Sequence, residues 1–398
     1  MSLLFKQTAS NTIEQLRTGQ VTPLNLLDVL ENRIRDLEST NVNALPFALR
    51  NFERARKEAK AIVPILEHYR KHPKQVPIGY LWGLPIIVKD TVPVVGFPFT
   101  RGSLMLGLKN RPETSHPLAT LIRKKGGIIY AKSNVPEFAA GSNTFNPLFG
   151  ITASPYDTTR TAGGSSGGSA AALCCGMGFL ATGSDLGGSL RIPASFCGVV
   201  GLRPSFGLIP GDSAPYGQLH ALNGPMGRNV LDTAILMDAM CLARSDNKTY
   251  QSFVKSRTRS SQRLIFSKDV GGTCHGMMDP EIVDMCRDVA HTVLHALRGR
   301  ATPLDETSMT QIFTNTRDAS MLFEKLRALN MYESFNKKDL DRQDVNNKLL
   351  HNMAATRIKP EFLWNTIMGS HYIFHGKNSV VQDVRIKATQ EQCSCNYR

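Results

Sequence analysis

Two serines set among glycines, 24 residues apart and joined by a short apolar stretch, constrain this chain more than any other feature. The first lies in Thr161-Ala162-Gly163-Gly164-Ser165-Ser166-Gly167-Gly168-Ser169. The second lies in Gly183-Ser184-Asp185-Leu186-Gly187-Gly188-Ser189-Leu190-Arg191. Glycines beside a serine let the backbone turn tightly and let another group come close. One such loop is common; two, tied together by Ala170 to Ala181, suggest two serines meeting in one site. A lysine in Leu84-Pro85-Ile86-Ile87-Val88-Lys89-Asp90 can complete the set, because it follows four apolar residues at the mouth of a buried strand. The residues alone leave a second reading for it, a surface lysine paired with Asp90.

The apolar pattern around these loops gives the fold class. Residues 9–75 read as helices: Leu26, Leu27, Val29, Leu30, Ile34 and Leu37 recur at helical spacing, Ser10 offers a cap, and Pro23 sits where a second helix would begin. Phe52 to Val63 reads as a charged surface helix that Pro64 ends or kinks. From Tyr80 onward the pattern changes. Pro85–Val88, Ile128–Ala131 and Phe179–Thr182 read as strands, and Leu118–Lys125 and Ala170–Cys175 as helices. Strand, helix, strand at this spacing predicts an α/β fold, a mainly parallel sheet covered by helices. Further on, 244–263 reads as a polar linker, Leu264-Ile265-Phe266 as a strand, and Pro280–Leu297 as a helix with Ile282, Met285, Val289, Val293 and Leu297 on one side. Helices are expected at 306–330, and the last 15 or so residues are expected to be unstructured.

Composition narrows the partners. The net charge is +14, with part of the excess in 244–263, where a solvated basic loop is the simplest account. No Lys/Arg run interleaved with aromatics marks a nucleic-acid surface, so no nucleic acid is expected. The start, Met1 to Gln7, carries no charged leader before a long apolar segment, and Ala170 to Ala181 is too short to span a bilayer. A cytoplasmic chain with no transmembrane segment is therefore expected. Most of the eight cysteines lie in apolar segments, as reduced buried thiols do, and Cys393-Ser394-Cys395 reads as part of a tail.

Serine needs a base to take its proton. None of the histidines singled out (His116, His220, His275, His291, His295) lies in a glycine-rich or acid-flanked setting, and the spacing of His291 and His295 suits a solvated helix face better than a metal. A lysine base then becomes attractive. A free lysine titrates near ~10.4, and lowering it to ~7–8 by burial corresponds to roughly 4 kcal/mol.

Read together, these segments resemble the amidase signature family, which includes bacterial amidases, fatty-acid amide hydrolases and the amidase subunit of tRNA-dependent amidotransferases. The resemblance runs over residues 8–243, with a weaker echo to about 298. It rests on Gly83-Leu84-Pro85 with Val88-Lys89-Asp90, Gly96 to Ser103, Lys132 to Phe138, Asn146 to Gly150, Arg160 to Ser169, Gly183 to Gly198, and Gly201 to Ser205. It implies a single domain: an N-terminal helical region at 1–75, a catalytic core at 76–243, and a C-terminal region at 244–398 that is incomplete relative to the family. The implied sheet is mixed, mostly parallel, with helices on both sides.

The resemblance also implies an amidase working through an acyl-enzyme, without metal or cofactor, on a small-molecule amide or ester. The nucleophile falls on Ser189, the bridging serine, held in a cis peptide, on Ser165, and the base on Lys89. Backbone N–H groups of Leu186, Gly187, Gly188 and Ser189 would form the oxyanion hole. Ala139 and Gly141 would leave room in the acyl pocket. Asp185 and Arg191 are read as supports for the loop, and Ser166 and Ser169 as hydrogen-bonding residues behind it. Ser184 stands where threonine is frequent in the family, and no consequence is expected. A homodimer is left open.

Rival readings are an α/β-hydrolase elbow at Gly163-Gly164-Ser165-Ser166-Gly167, an inactive relative acting only as a binding partner, and an amidotransferase-type glutaminase subunit. The elbow needs a strand immediately before it, but Tyr156 to Arg160 is polar. The glutaminase branch usually has a glutamine where this chain has Ile192.

Overall fold

A computed structural model describes residues 3–40, 42–211, 221–242, 249–255, 262–265, 279–296 and 301–304. The chain divides into two compact units, Met1–Val254 with Arg327–Arg398, and Lys255–Leu326. The helices expected at 306–330, the tail cysteines and most of the basic run in 244–263 lie outside the described residues.

The first unit opens with helices α1 (Ala9–Thr18), α2 (Pro23–Asp36), α3 (Phe52–Ala61) and α4 (Val63–Lys71). Thr22 caps α2 through a reciprocal pair with Asn25, and Pro23 takes the first helical position, as predicted. The cap of α1 is Thr8, not Ser10. Asp232, far along the chain, accepts the N–H groups of Ala9 and Ser10 at 2.9 Å each, so a long-range carboxylate sets where this helix starts. Pro64 lies in the first turn of α4, where a missing N–H costs nothing, so it opens a second helix instead of merely ending one. Phe52, Ala55 and Ala59 bury one side of α3, which is therefore only half a surface helix.

The central sheet is built from β1 (Pro85–Lys89), β2 (Ile128–Ser133), β5 (Leu180–Asp185), β6 (Val200–Gly201) and β7 (Leu222–Gly227) in the order β2-β1-β5-β7-β6. A separate hairpin pairs β3 (Phe145–Asn146) with β4 (Gly150–Ile151). Strands β2, β1 and β5 run parallel, β7 runs antiparallel to β5, and β6 antiparallel to β7. The sheet is thus mixed, parallel over β2, β1 and β5 and antiparallel beyond. Every residue of β1 is buried, the pattern of a strand covered on both faces. Helices α5 (Pro117–Lys124), α6 (Gly167–Cys174), α7 (Arg191–Phe196) and α8 (Val230–Met240) complete the layers, with α6 against β5 and β1 and α8 against β7. Strand β7, with Gly224, Pro225 and Gly227 in it, had no strand signature in the sequence; its pairing with β5 places it. Part of the expected linker is helical, α9 (Tyr250–Lys255), because Asp238 accepts the N–H groups of Tyr250 and Gln251 at its start.

In the second unit β8 (Gln262–Ile265) pairs in parallel with β9 (Ala301–Leu304), with α10 (Pro280–Ala296) between them in sequence. Ile282, Met285, Val289 and Val293, predicted to share one side of that helix, are exposed. No helix among the described residues is long and apolar enough to cross a membrane.

Candidate active site

Lys89 closes β1, where the register sets it opposite Ser133 of β2. Its backbone N–H donates to Thr182 Oγ1 of β5 at 3.0 Å, so both neighbouring strands hold it. Its side chain is fully buried, and Nζ meets three hydroxyls: Ser165 Oγ at 2.7 Å, Ser166 Oγ at 2.9 Å and Ser184 Oγ at 2.8 Å. Burial with no carboxylate touching it pushes the amine down to about 7, helped by the nearby Arg101 cation and opposed by the Asp185 anion. Near neutrality such an amine is divided between its two protonation states, unlike a surface lysine.

The aspartate that follows it is spoken for elsewhere. Asp90, just past the end of β1, and Lys132 of β2 form a fully buried ion pair. Asp90 Oδ2 also accepts from Thr100 Oγ1 at 2.5 Å, and Lys132 Nζ donates to the Pro98 carbonyl at 2.9 Å. The pairing of Lys89 with Asp90 that the sequence left open is therefore replaced by Lys132.

Ser165 and Ser166 sit immediately before α6. The Gly164–Ser165 peptide is cis. Glycine is required around them: a Cβ on Gly164 would lie 2.9 Å from the Asn143 nitrogen, and one on Gly168 would lie 2.5 Å from both the nitrogen and the oxygen of Asn134. These close approaches press the serine loop against residues 134–144. Gly163 O accepts from both Thr144 N–H at 3.1 Å and Thr144 Oγ1 at 2.8 Å, which fastens the two segments. Ser169 lies one layer back, donating to the Thr182 carbonyl at 2.8 Å while Ser133 bonds it at 2.7 Å.

The second loop leaves the end of β5. Ser189 is half-buried, and its carbonyl accepts the Ser166 N–H at 3.1 Å, so the two serine loops touch through their backbones. Among the described residues no hydrogen bond joins the Ser189 hydroxyl to Ser165 or Lys89. The Lys89–Ser165 contact expected from the sequence is thus present, and the Ser165–Ser189 contact is not made as a hydrogen bond. Asp185 organises the turn between them. Its carboxylate accepts the N–H of Gly188 at 2.8 Å and of Leu190 at 3.3 Å, and Arg191 grips it with two contacts of 2.9 and 3.1 Å. Burial alone would raise this carboxyl, but the Arg191 guanidinium and the backbone donors outweigh it and hold it below its usual value.

A family model, Amidase, matches residues 28–381. The chain belongs to the Amidase family. The match runs past residue 298, where the resemblance read from the sequence faded. Among curated relatives of this amidase-family chain, a glutamyl-tRNA(Gln) amidotransferase subunit from Methanosarcina mazei is 42% identical over 205 residues, 50% of this chain and 41% of that protein. Its counterpart from Desulforudis audaxviator is 33% identical over 315 residues, 77% of this chain and 60% of that protein. The putative amidase AmiB2 of Mycobacterium bovis is 38% identical over 234 residues, 58% of this chain and 48% of that protein. The chain spans about half the length of the curated relatives it matches. Among solved structures, a bacterial aryl acylamidase of the amidase signature family covers 94% of the chain with a TM-score of 0.69 at 21% identity, and 77% of its own chain is covered. The 6-aminohexanoate cyclic dimer hydrolase aligns over 97% of the chain and 76% of its own, with a TM-score of 0.73 at 21% identity. These two establish the amidase-signature fold.

For an amidase site, the oxyanion donors named from sequence divide. The Gly188 N–H is already given to Asp185. Those of Leu186, Gly187 and Ser189 meet no acceptor among the described residues. Ala139 and Gly141 lie on the segment that packs against the serine loop, and a Cβ on Gly141 would point into open space. Two residues were missed. Ser184 was considered only as a serine in a threonine's place, and its hydroxyl touches the lysine amine; Arg101 bears on that amine's charge. Alternation along β5 could have found the first, since Thr182 and Ser184 share a face. Arg101 lies in the Gly96 to Ser103 run that carries the resemblance, but nothing in that run points it toward Lys89.

Proposed function

We propose that this chain is an amide hydrolase in which Ser189 is the nucleophile, Ser165 the proton bridge and Lys89 the base. The observation that carries the reading is the buried Lys89 amine, 2.7 Å from Ser165 Oγ and titrating near 7. A base must be free of its proton at working pH, and burial supplies that condition here.

In this mechanism Ser189 attacks the amide carbonyl as its proton passes to Ser165 and the Ser165 proton passes to Lys89. Charge develops on the carbonyl oxygen, where the N–H groups of Leu186, Gly187 and Ser189 are free to receive it; each such donor is typically worth about 10²–10³ in rate. The Gly188 donor, engaged by Asp185, shapes the loop instead. Lys89 then returns a proton through Ser165 to the departing amine, leaving an acyl-Ser189 ester. Water, deprotonated by the same relay, releases the acid. Rotation of the Ser189 hydroxyl toward Ser165 is the adjustment that substrate must induce, since catalytic hydrogen bonds often tighten only in the complex.

A second reading is a partner-dependent glutaminase, supported by the relatives named as glutamyl-tRNA(Gln) amidotransferase subunits. The test is fluorophosphonate labelling of the full chain, followed by peptide mapping and a panel of amides and esters. Labelling at Ser189, lost in Ser189→Ala and strongly slowed in Ser165→Ala and Lys89→Ala, supports the hydrolase. Turnover of glutamine only when the other subunits of such an amidotransferase are added supports the glutaminase. A folded chain that takes no probe in either setting would leave it a binding partner only.

A further inference from the structure

We infer that the Ser184 hydroxyl fixes the direction in which the Lys89 amine points, acting as a positioning residue for the proton relay; this rests on the reading of Lys89 as the base. Three hydroxyls surround Nζ, at 2.7, 2.9 and 2.8 Å for Ser165, Ser166 and Ser184. What else each one touches decides its role. Ser166 Oγ donates to the Ser184 carbonyl at 3.3 Å and accepts the Ser184 N–H at 3.2 Å. Its proton is committed, so toward Nζ it can only accept.

A neutral amine has two N–H groups and one lone pair. One N–H goes to Ser166. The other, and the lone pair, divide between Ser165 and Ser184. Ser165 is 1% exposed, and its O–H has no acceptor but Nζ among the described residues. A buried donor left unmade is costly, because its lost hydration is not replaced. Ser184 is half-buried, so its own proton can go to solvent. The consistent arrangement has Ser184 accepting the second N–H and Ser165 donating into the lone pair, which is the geometry a base requires.

The backbone holds Ser184 in that place. It pairs with Asn223 of β7, and its N–H is tied to Ser166. Thr182, on the same face of β5, accepts the Lys89 backbone N–H at 3.0 Å. One strand face therefore fixes both ends of the lysine. The charged groups around it are Asp185 at the end of β5, Arg101 in the loop after β1, and the pair of Asp90, just past β1, with Lys132 of β2. None of them bonds to Nζ, which among the described residues meets hydroxyls alone.

The test is an NMR titration of Lys89 in the full chain labelled at lysine side chains, with the signal assigned by Lys89→Met, in wild type, Ser184→Ala and Ser184→Thr. Three acceptors match the three N–H groups of the ammonium. Removing one disfavours the charged form, so the Ser184→Ala midpoint falls below that of wild type, while Ser184→Thr keeps it. Labelling of Ser189 by a fluorophosphonate, followed against pH, slows about tenfold on its plateau in Ser184→Ala and its acid limb moves to lower pH; Ser184→Thr restores both. An unchanged Lys89 midpoint in a folded Ser184→Ala chain overturns the inference, as does a faster plateau, which would mean that Ser184 had been occupying the lone pair. A wild-type chain that takes no probe removes the hydrolase reading, and the Ser184 assignment is then decided by the midpoint alone.

Discussion

The Gly188 N–H donates to Asp185 Oδ1 at 2.8 Å, and this bond folds the Ser189 loop back on the end of β5. Asp185 Oδ2 takes the Leu190 N–H at 3.3 Å, and Arg191 closes over both oxygens. One carboxylate therefore fixes the turn that carries the N–H groups of Leu186, Gly187 and Ser189. Replacing it by alanine releases them. We expect Asp185→Ala to slow Ser189 labelling about 100-fold, the scale of losing one oxyanion donor. Because the Asp185 anion favours the charged form of Lys89, its removal lowers that amine's pKa and moves the acid limb of the labelling profile to lower pH. A pH series on the variant reads both effects, and a slowed plateau with an unmoved limb would separate the loop role from the electrostatic one.

Lys89 also makes a prediction about stability. Its amine titrates near 7 in the fold and near 10.5 in the unfolded chain. Between those values the unfolded state binds the extra proton, so stability rises with pH, by up to about 1.4 kcal/mol per pH unit from this group. Below about pH 7 both states are charged, the dependence flattens, and the cost of burying the charged amine is borne in full. Other groups titrate in the same window, so the comparison is with Lys89→Met, which lacks this term. Chemical denaturation at pH 7 and pH 9 should show wild type gaining on the variant as pH rises. Parallel curves for the two proteins would mean that Lys89 is charged throughout.

Much of this was legible because glycine and the apolar runs report directly on backbone demands. Gly164 and Gly168 are required by approaches of 2.9 Å or less, and β1 is a run of apolar residues because it is covered on both faces. What escaped were features set by distant partners. Asp232 relocates the start of α1, Asp238 opens a helix in an expected linker, and β7 is a strand only because β5 lies beside it. The pairing of Lys132 with Asp90 escaped for the same reason. From the sequence Asp90 adjoins Lys89, but it stands just past the end of β1, and its partner Lys132 comes from β2 beside it.

That second buried lysine gives a contrasting prediction. Lys132 and Asp90 are both fully buried and satisfy one another, so Asp90→Asn leaves an uncompensated cation in the core. Breaking such a pair from one side typically costs about 3–5 kcal/mol. Burial already pushes Lys132 below its usual value, with Asp90 opposing, and the variant removes the opposing partner. We expect a large loss of stability at neutral pH that is partly recovered as pH rises and Lys132 gives up its proton. A variant as stable as wild type would mean that solvent reaches this pair.

The segment carrying Ala139 and Gly141 offers a test of where the acyl group lies. Both positions have positive φ, 60° and 105°, but Ala139 already bears a Cβ there, and the adjacent Phe138 carries a ring at φ 53°, so this backbone accepts a larger side chain. Gly141 at 105° would confound size with strain. Ala139→Phe is therefore the cleaner probe. If this residue lines the acyl pocket, kcat/KM for branched or aromatic acyl amides falls about 10–200-fold, the scale for misfitting an apolar group, while the smallest amides are nearly unaffected. The ratio of the two values is the measurement, since a loss of folded protein lowers both and leaves the ratio unchanged. An unchanged ratio with full activity would place the acyl group elsewhere and remove Ala139 from the site.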